Sequence, residues 1–388
     1  MNPNPNPAPA VRAAGTGPRR LTVAVVGGSL TGPVTALLLL RAGFDVTVYE
    51  ATPPSAALGG GLISLEHTAL DVLDRLDIPQ REFVAYDSET IRQVAVRDRQ
   101  PEQTVLRTYP GRLTTWTLLH RALAARIPAG VLRTGMRVTG LSTHAGRPVL
   151  RFAGGHAAEP VDLVVFADGR SSTGRRLLDP DRTLTYAGYV AHRGIATCTP
   201  RAGLRDFVRL EPCPGAQFNI APVPDGCDWT FYLGCSAADY EQRFGGTPLR
   251  RVLALPRHVT PAARTHVDEH ADHLLPPDHA AVVRATTVRV AAPMLDIDPP
   301  TRMVWPVGDG HAVLLGDALA PVRPHTARGA NNGIEQAAGL TVALTQHHRY
   351  GADLPAALHG WQRRHLPTAV AAVRQGPVIG DKLGLGTR

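Results

Sequence analysis

Six residues, Gly27-Gly28-Ser29-Leu30-Thr31-Gly32, join a β-branched apolar run (21–28) to a helical stretch (31–43). A glycine in first place allows a tight turn, and a serine in third place still lets a ligand come close to the backbone. The helix that follows then offers unpaired N–H groups to a pyrophosphate. A second alternating strand (44–51) ends at Glu50 and Ala51. An acid about 20 residues beyond such a loop accepts hydrogen bonds from ribose hydroxyls and favours a ribose without a 2′-phosphate.

Two further clusters sit at strand ends. Asp168-Gly169-Arg170-Ser171-Ser172-Thr173-Gly174-Arg175 follows the apolar run 162–167. Gly316-Asp317-Ala318 follows Ala312–Leu315, and beyond it stand Arg323-Pro324-His325 and Arg328-Gly329-Ala330-Asn331-Asn332-Gly333. Asp317 at a strand tip suits a sugar or ribityl hydroxyl. The glycines from Gly329 onward suit backbone N–H groups aimed at an anionic ring or phosphate. Other patterns carry less. His266, His270 and His273 have metal-like spacing without an H-E-x-x-H core, so no metal is expected. Ser29 is no nucleophile elbow, because Thr31 stands where G-x-S-x-G needs its second glycine.

These motifs need elements to hold them. Residues 1–20 read as a disordered leader and 21–180 as a mixed α/β unit, with helices around 67–76 and 115–126 and strands near 137–141 and 149–152. From 181 to 299 the texture changes to strands broken by Pro and Gly, which predicts an inserted antiparallel sheet domain. Residues 300–350 return to the first unit, with a helix over 332–346. A segment over 351–388 follows, helical over 354–373 and loose from Gly376.

The 388 residues carry a net charge of +8, but Lys382 is the only lysine and the arginines are scattered. A nucleic-acid surface would cluster them. No apolar run reaches the length of a membrane span, and four dispersed cysteines are no disulfide scaffold. The composition predicts a cytoplasmic protein that binds neither nucleic acid nor membrane, and it leaves monomer and homodimer both open.

Taken together, the three motifs resemble those of the class A FAD-dependent aromatic hydroxylases, of the p-hydroxybenzoate hydroxylase type. A finer likeness is to the 2,6-dihydroxypyridine hydroxylase branch. It is carried by Gly27-Gly28-Ser29, by the strand Tyr186 to Gly194 and by Arg323-Pro324-His325. The resemblance implies a Rossmann-like FAD-binding domain (21–180 with 300–350), an inserted β-sheet substrate domain (181–299) and a C-terminal helical segment.

The same resemblance implies that Gly27, Ser29, Leu30, Thr31, Gly32, Glu50 and Ala51 hold the ADP half of FAD. Trp116 stands where relatives often use an arginine for FAD. Asp168 and Gly169 would serve both FAD and NADPH or NADH, Gly316 and Asp317 would meet the ribityl chain, and Arg328, Gly329 and Asn331 would lie near the isoalloxazine ring. The implied reaction is hydroxylation of a small aromatic or heteroaromatic substrate, with NADPH or NADH as electron donor and dioxygen as co-substrate, through a flavin C4a-hydroperoxide.

Candidate catalytic residues are His325, in a turn expected to pass the flavin, and His192 and Arg193, of which strand alternation lets only one face the pocket. Gln217, Phe231 and Tyr232 are candidate substrate contacts. Epoxidation, Baeyer–Villiger-type oxygenation, an FAD dehydrogenase or oxidase, and a flavin-binding sensor are the rival readings.

Overall fold

The strand Thr22–Val26 pairs in parallel on both edges and buries Val23 through Val26 because packed side chains, Leu39 and Leu340 among them, cover the sheet. It lies inside a six-stranded sheet. In spatial order the strands are Val304–Val307, Gly310–Leu314, Leu163–Phe166, Thr22–Val26, Asp45–Tyr49 and Leu132–Arg133. The strands are parallel except for the antiparallel edge strand Val304–Val307. This computed structural model describes residues 20–53, 61–200, 204–224 and 226–386. The expected leader, apart from Arg20, lies outside the described residues, as do Gly59 and Gly60.

Each nucleotide motif thus follows one of three adjacent strands, at its carboxyl end. That is where open α/β sheets bind ligands. Helices Thr31–Arg41 and Gly329–Tyr350 pack together beside this edge. Gly333 makes the contact possible, since a Cβ there would stand 2.3 Å from Thr31 Oγ1. Strands drawn from both ends of the chain share the sheet, which leaves the middle of the chain to build a second one.

That second sheet has seven strands, in the order Arg289–Asp296, Thr185–Ala196, Gly226–Gly234, Ala216–Val223, Phe207–Cys213, Thr90–Arg97 and Gln100–Thr108. The last two come from a stretch that sequence texture assigned to the first unit. Thr90–Arg97 instead pairs in parallel with Phe207–Cys213, and Val94 and Val96 pack into the core holding Phe218 and Trp229. One face of the sheet is covered by helices Pro261–Leu274 and Pro277–Ala285, through Val267, Ala271 and Val283.

The chain end also departs from expectation. Helix Leu354–Lys382 runs past Val373, through two internal prolines. Gly376 and Gly380 serve close packing rather than looseness. A Cβ at Gly380 would meet an Arg323 Nη1 atom at 2.0 Å and the Leu385 carbonyl at 2.6 Å. Leu385 is fully buried beside Tyr189 and Tyr232. Among the described residues, no helix is long and apolar enough to cross a membrane.

Candidate active site

A cavity of about 520 Å³ lies between the carboxyl edge of the parallel sheet and the open face of the antiparallel one. Ser29, Leu30 and Thr31 line it from the first glycine loop. Gly27 adopts a φ of +112°, where a Cβ would lie 2.4 Å from the Ala167 carbonyl oxygen. A Cβ at Gly32 would lie 1.8 Å from the carbonyl oxygen of Gly27. Helix Thr31–Arg41 starts at Leu30 with no side-chain cap and no acid in its first turn. Its leading N–H groups are therefore open to an anion.

Around this start the remaining side chains are ordered. The indole of Trp116 donates to Ser29 Oγ at 3.0 Å and stacks on His120. The Glu50 carboxylate accepts from the backbone N–H of Gly28 and of Thr52, both at 2.7 Å. Ala51 is half-buried next to it and does not line the cavity.

In the second cluster Gly169 lines the cavity, but the Asp168 side chain turns elsewhere. It accepts from Ser172 Oγ at 2.5 Å and from the backbone N–H of Thr173 at 2.6 Å and of Gly174 at 3.2 Å. Asp168 thus holds the start of the short helix Thr173–Leu178, a use that competes with the expected cofactor contact. Buried Arg175 ties this cluster to the third by donating to the carbonyls of Asp317 and Ala318 at 3.2 and 2.9 Å.

Gly316, with φ +57°, donates its N–H to Gln336 Oε1 at 2.7 Å. Asp317 reaches the cavity, and its carboxylate makes no hydrogen bond among the described residues. Burial pushes its pKa up, against the opposing charges of Arg170 and Arg175. Helix Gly329–Tyr350 begins here, again with no side-chain cap, and Gly329 and Ala330 line the cavity. Arg328 borders it while paired to Glu66 and, at 2.8 Å, to Glu335.

Asn331 is not at the cavity. Its Oδ1 accepts from the Glu66 N–H at 2.9 Å, and its Nδ2 donates to the carbonyls of Ala327 and Ser64 at 2.7 and 3.0 Å. It is fully buried and joins strand Leu62–Glu66 to the turn before the helix. The helix start that sequence reasoning singled out does reach the cavity; this side chain does not.

The antiparallel sheet settles the alternation. Arg193 pairs with Thr230, Thr230 with Asn219, Asn219 with Arg209, and Arg209 with Gln93, so one polar row crosses five strands on one face. Arg193, Thr230, Asn219 and Arg209 line the cavity, as does Tyr232 one step along. His192 pairs with Phe231 on the opposite face. His192 packs there near Phe244 and Phe231 near Phe218, so neither meets the cavity. Burial holds the His192 pKa down to about 3. Gln217 shares the cavity face but sits beyond its edge, with Nε2 near Glu211.

Several buried atoms on this face have no hydrogen-bond partner among the described residues: Arg193 Nε, Arg209 Nε and Asn219 Oδ1. Such orphans inside a cavity mark groups kept for a ligand. Arg209 and Asn219 were not singled out in the sequence, although Asn219 and Thr230 each lie two residues from Gln217 and Tyr232. Asp228 follows the same alternation, fully buried, its pKa pushed up to about 7 by desolvation and opposed by Arg193.

His325 lines the cavity with its ring 4.5 Å from that of Tyr232 and its Nε2 at 3.1 Å from the Tyr189 hydroxyl. Burial, with Arg209 and Arg323 close by, holds its pKa down to about 3, so it is neutral near pH 7. The third histidine pattern stays apart. Among the described residues no group of three His, Cys, Asp or Glu side chains could hold a metal.

No family model matches the chain. It is 29% identical to a 6-hydroxynicotinate 3-monooxygenase of Bordetella bronchiseptica over 341 residues, covering 84% of this chain and 82% of that one. Its fold superposes on 2,6-dihydroxypyridine-3-hydroxylase from Arthrobacter nicotinovorans with a TM-score of 0.81 and 23% identity, over 96% of this chain and 95% of the other. The curated proteins that the chain resembles over most of its length are FAD-dependent aromatic monooxygenases. Klebsiella pneumoniae HpxO, complexed with FAD and uric acid, shares the same fold with a TM-score of 0.77 and 20% identity, over 94% of this chain and 89% of that one. In this chain the two uncapped helix starts and the polar sheet face border one cavity.

Proposed function

We propose that this monooxygenase hydroxylates a small aromatic or heteroaromatic ring, using NADPH or NADH and dioxygen. The observation that carries the reading is the cavity itself, bounded by two uncapped helix starts, the free Asp317 carboxylate and a sheet face with orphaned donors. These features fit FAD. Glycines whose Cβ atoms would strike backbone keep the turn tight enough to aim the open N–H groups of the helix start at a pyrophosphate, and Glu50 lies beside that loop. Asp317 can accept from a ribityl hydroxyl, and the N–H groups of Gly329 and Ala330 can face an electron-rich ring. Bound there, FAD would supply the redox chemistry that takes electrons from the nicotinamide and activates dioxygen.

The chain's own residues would do the remaining work. Arg193, Arg209 and Asn219 orient the ring and stabilise negative charge on its oxygen substituents, because buried donors are stronger than those in water. Tyr232 and His325 close the side facing the turn 323–327. Asp168 contributes through the helix it caps. One atom of dioxygen enters the ring and the other leaves as water, as a hydride from NAD(P)H and a proton from solvent are consumed. The relatives' named substrates, 6-hydroxynicotinate and 2,6-dihydroxypyridine, are oxygenated nitrogen heterocycles, and this donor-rich sheet suits the same class. A cytoplasmic monomer or homodimer, with access to NAD(P)H, completes the proposal.

The purified protein is expected to be yellow or to take up FAD. It should oxidise NADPH or NADH faster with one member of a phenol and hydroxypyridine panel, and ¹⁸O₂ should label the product. Failure to bind FAD, or nicotinamide oxidation that yields only hydrogen peroxide with every ligand, would overturn it.

A further inference from the structure

We infer that Tyr189, held by the Arg323–Asp296 ion pair, fixes His325 as the tautomer whose Nδ1–H is offered to the cavity. This rests on the reading of the cavity as the substrate site. Arg323 grips Asp296 with two parallel bonds, Nε to Oδ1 at 2.7 Å and Nη2 to Oδ2 at 2.5 Å. Its guanidinium lies 5.3 Å from the centre of the Tyr189 ring and holds that ring in place. Gly376 and Gly380 of the C-terminal helix leave the space that this arginine fills.

The hydrogen count then decides the tautomer. A phenol hydroxyl carries one hydrogen and two acceptor lone pairs, and an unused lone pair costs less than an unmade donor. Among the described residues the hydrogen-bond partner of the Tyr189 hydroxyl is His325 Nε2 at 3.1 Å. If Nε2 carried the proton, it would donate to the hydroxyl oxygen and leave the hydroxyl hydrogen of fully buried Tyr189 without an acceptor. An unmade bond of that kind disfavours the arrangement by about tenfold or more. The hydroxyl therefore donates to Nε2, and the ring proton sits on Nδ1.

Charge agrees with this assignment. The groups acting on His325 are Arg209 and Arg323, both cations, while the facing rings Tyr189 and Tyr232 are neutral phenols with raised pKa values. Nothing around the imidazole favours a second proton. His325 is then a neutral donor rather than a general base. With Arg193 and Arg209 it prefers a ring presented as its oxyanion, and Tyr189 and Arg323 are positioning residues acting through it.

Selective [¹⁵N]histidine labelling of the purified protein tests this directly, through long-range ¹⁵N–¹H correlations of the imidazole. H325Q supplies the assignment by deleting one set of signals. The expected wild-type pattern is protonated Nδ1 and bare Nε2, unchanged between about pH 6 and 8. Y189F should raise the population of the Nε2–H form about tenfold, a change that loss of packing alone would not produce. A protonated Nε2 in the wild type overturns the inference, as does an unchanged tautomer ratio in folded Y189F. The wild-type spectrum decides the matter even if Y189F does not fold. The tautomer is read without turnover, so failure of the monooxygenase reading would show only in the FAD and ¹⁸O assays.

Discussion

Replacing Gly32 with alanine tests whether the first glycine loop is shaped for a bound anion or merely tolerates one. The added Cβ would lie 1.8 Å from the Gly27 carbonyl oxygen and 2.9 Å from its carbon, whereas real Cβ contacts essentially never fall under 3.0 Å. Both atoms are backbone, so no flexible side chain can yield. The Gly27 N–H is itself anchored to the Tyr49 carbonyl at 2.8 Å, which confines the movement to the loop and the helix start. Small-to-large strain of this kind costs about 1–3 kcal/mol of stability. The displacement also misaims the N–H groups at the start of helix Thr31–Arg41. Losing two charge-assisted bonds to a pyrophosphate, at about 1.5–3 kcal/mol each, weakens FAD binding by about 10²- to 10⁴-fold. Flavin fluorescence titration of the apoprotein measures the second effect, and thermal melting without FAD measures the first. An FAD affinity within threefold of wild type, with the melt unshifted, would refute the reasoning.

Three other substitutions probe separate parts of the site. R209Q removes an orphaned guanidinium from the sheet face, and is expected to weaken an anionic ring ligand by about 10- to 100-fold while FAD content is unchanged, as read by ligand difference titration. N331A strands the Glu66 N–H and the Ser64 and Ala327 carbonyls in a buried place, so denaturant titration should show a loss of about 3 kcal/mol. D228N addresses pH. The Asp228 carboxyl titrates near pH 7 when folded and near 4 when unfolded, so between these values the native state holds the extra proton. Its contribution to stability is present in acid and lost as pH rises toward 7. D228N should therefore gain on wild type by a few kcal/mol as pH rises from about 4 to 8, and a constant difference in unfolding free energy across that range would contradict this.

The glycine loops were legible because their constraint is local. Gly27 and Gly32 are required by contacts within one strand, one turn and one helix, which leave a mark at fixed spacing. The pairing of Arg193 with His192 was legible only up to a choice. Alternation says that the two face apart, but which face is covered depends on helices 261–285, far along the chain. Asp168 and Asn331 show the opposite limit. Each occupies a motif position next to the cavity, yet each carboxylate or amide is taken by nearby backbone N–H or C=O groups whose positions no spacing reveals. The stretch 90–108 joined the second sheet through a parallel pairing with residues more than a hundred positions away, a partner invisible to local periodicity. Gly376 and Gly380 read as loose for a similar reason: the side chain that needs their lack of a Cβ, Arg323, belongs to the turn carrying His325.

That last connection links the end of the chain to the site. Helix Leu354–Lys382 makes room for Arg323 with its two glycines, and the Leu385 carbonyl takes a further bond from Arg323 Nη1 at 3.4 Å. The side chain is thereby drawn between Asp296 of the antiparallel sheet and the C-terminal helix, with the Tyr189 ring beneath it. Moving any of these three would displace the Tyr189 hydroxyl from His325, although only His325 lines the cavity. A donor in a substrate cavity works only if its hydrogen is already aimed before the ligand arrives. Here the aim comes from an ion pair and a helix outside the cavity, so substitutions at Gly376 and Gly380 should alter ligand ionisation in the site without touching the ligand.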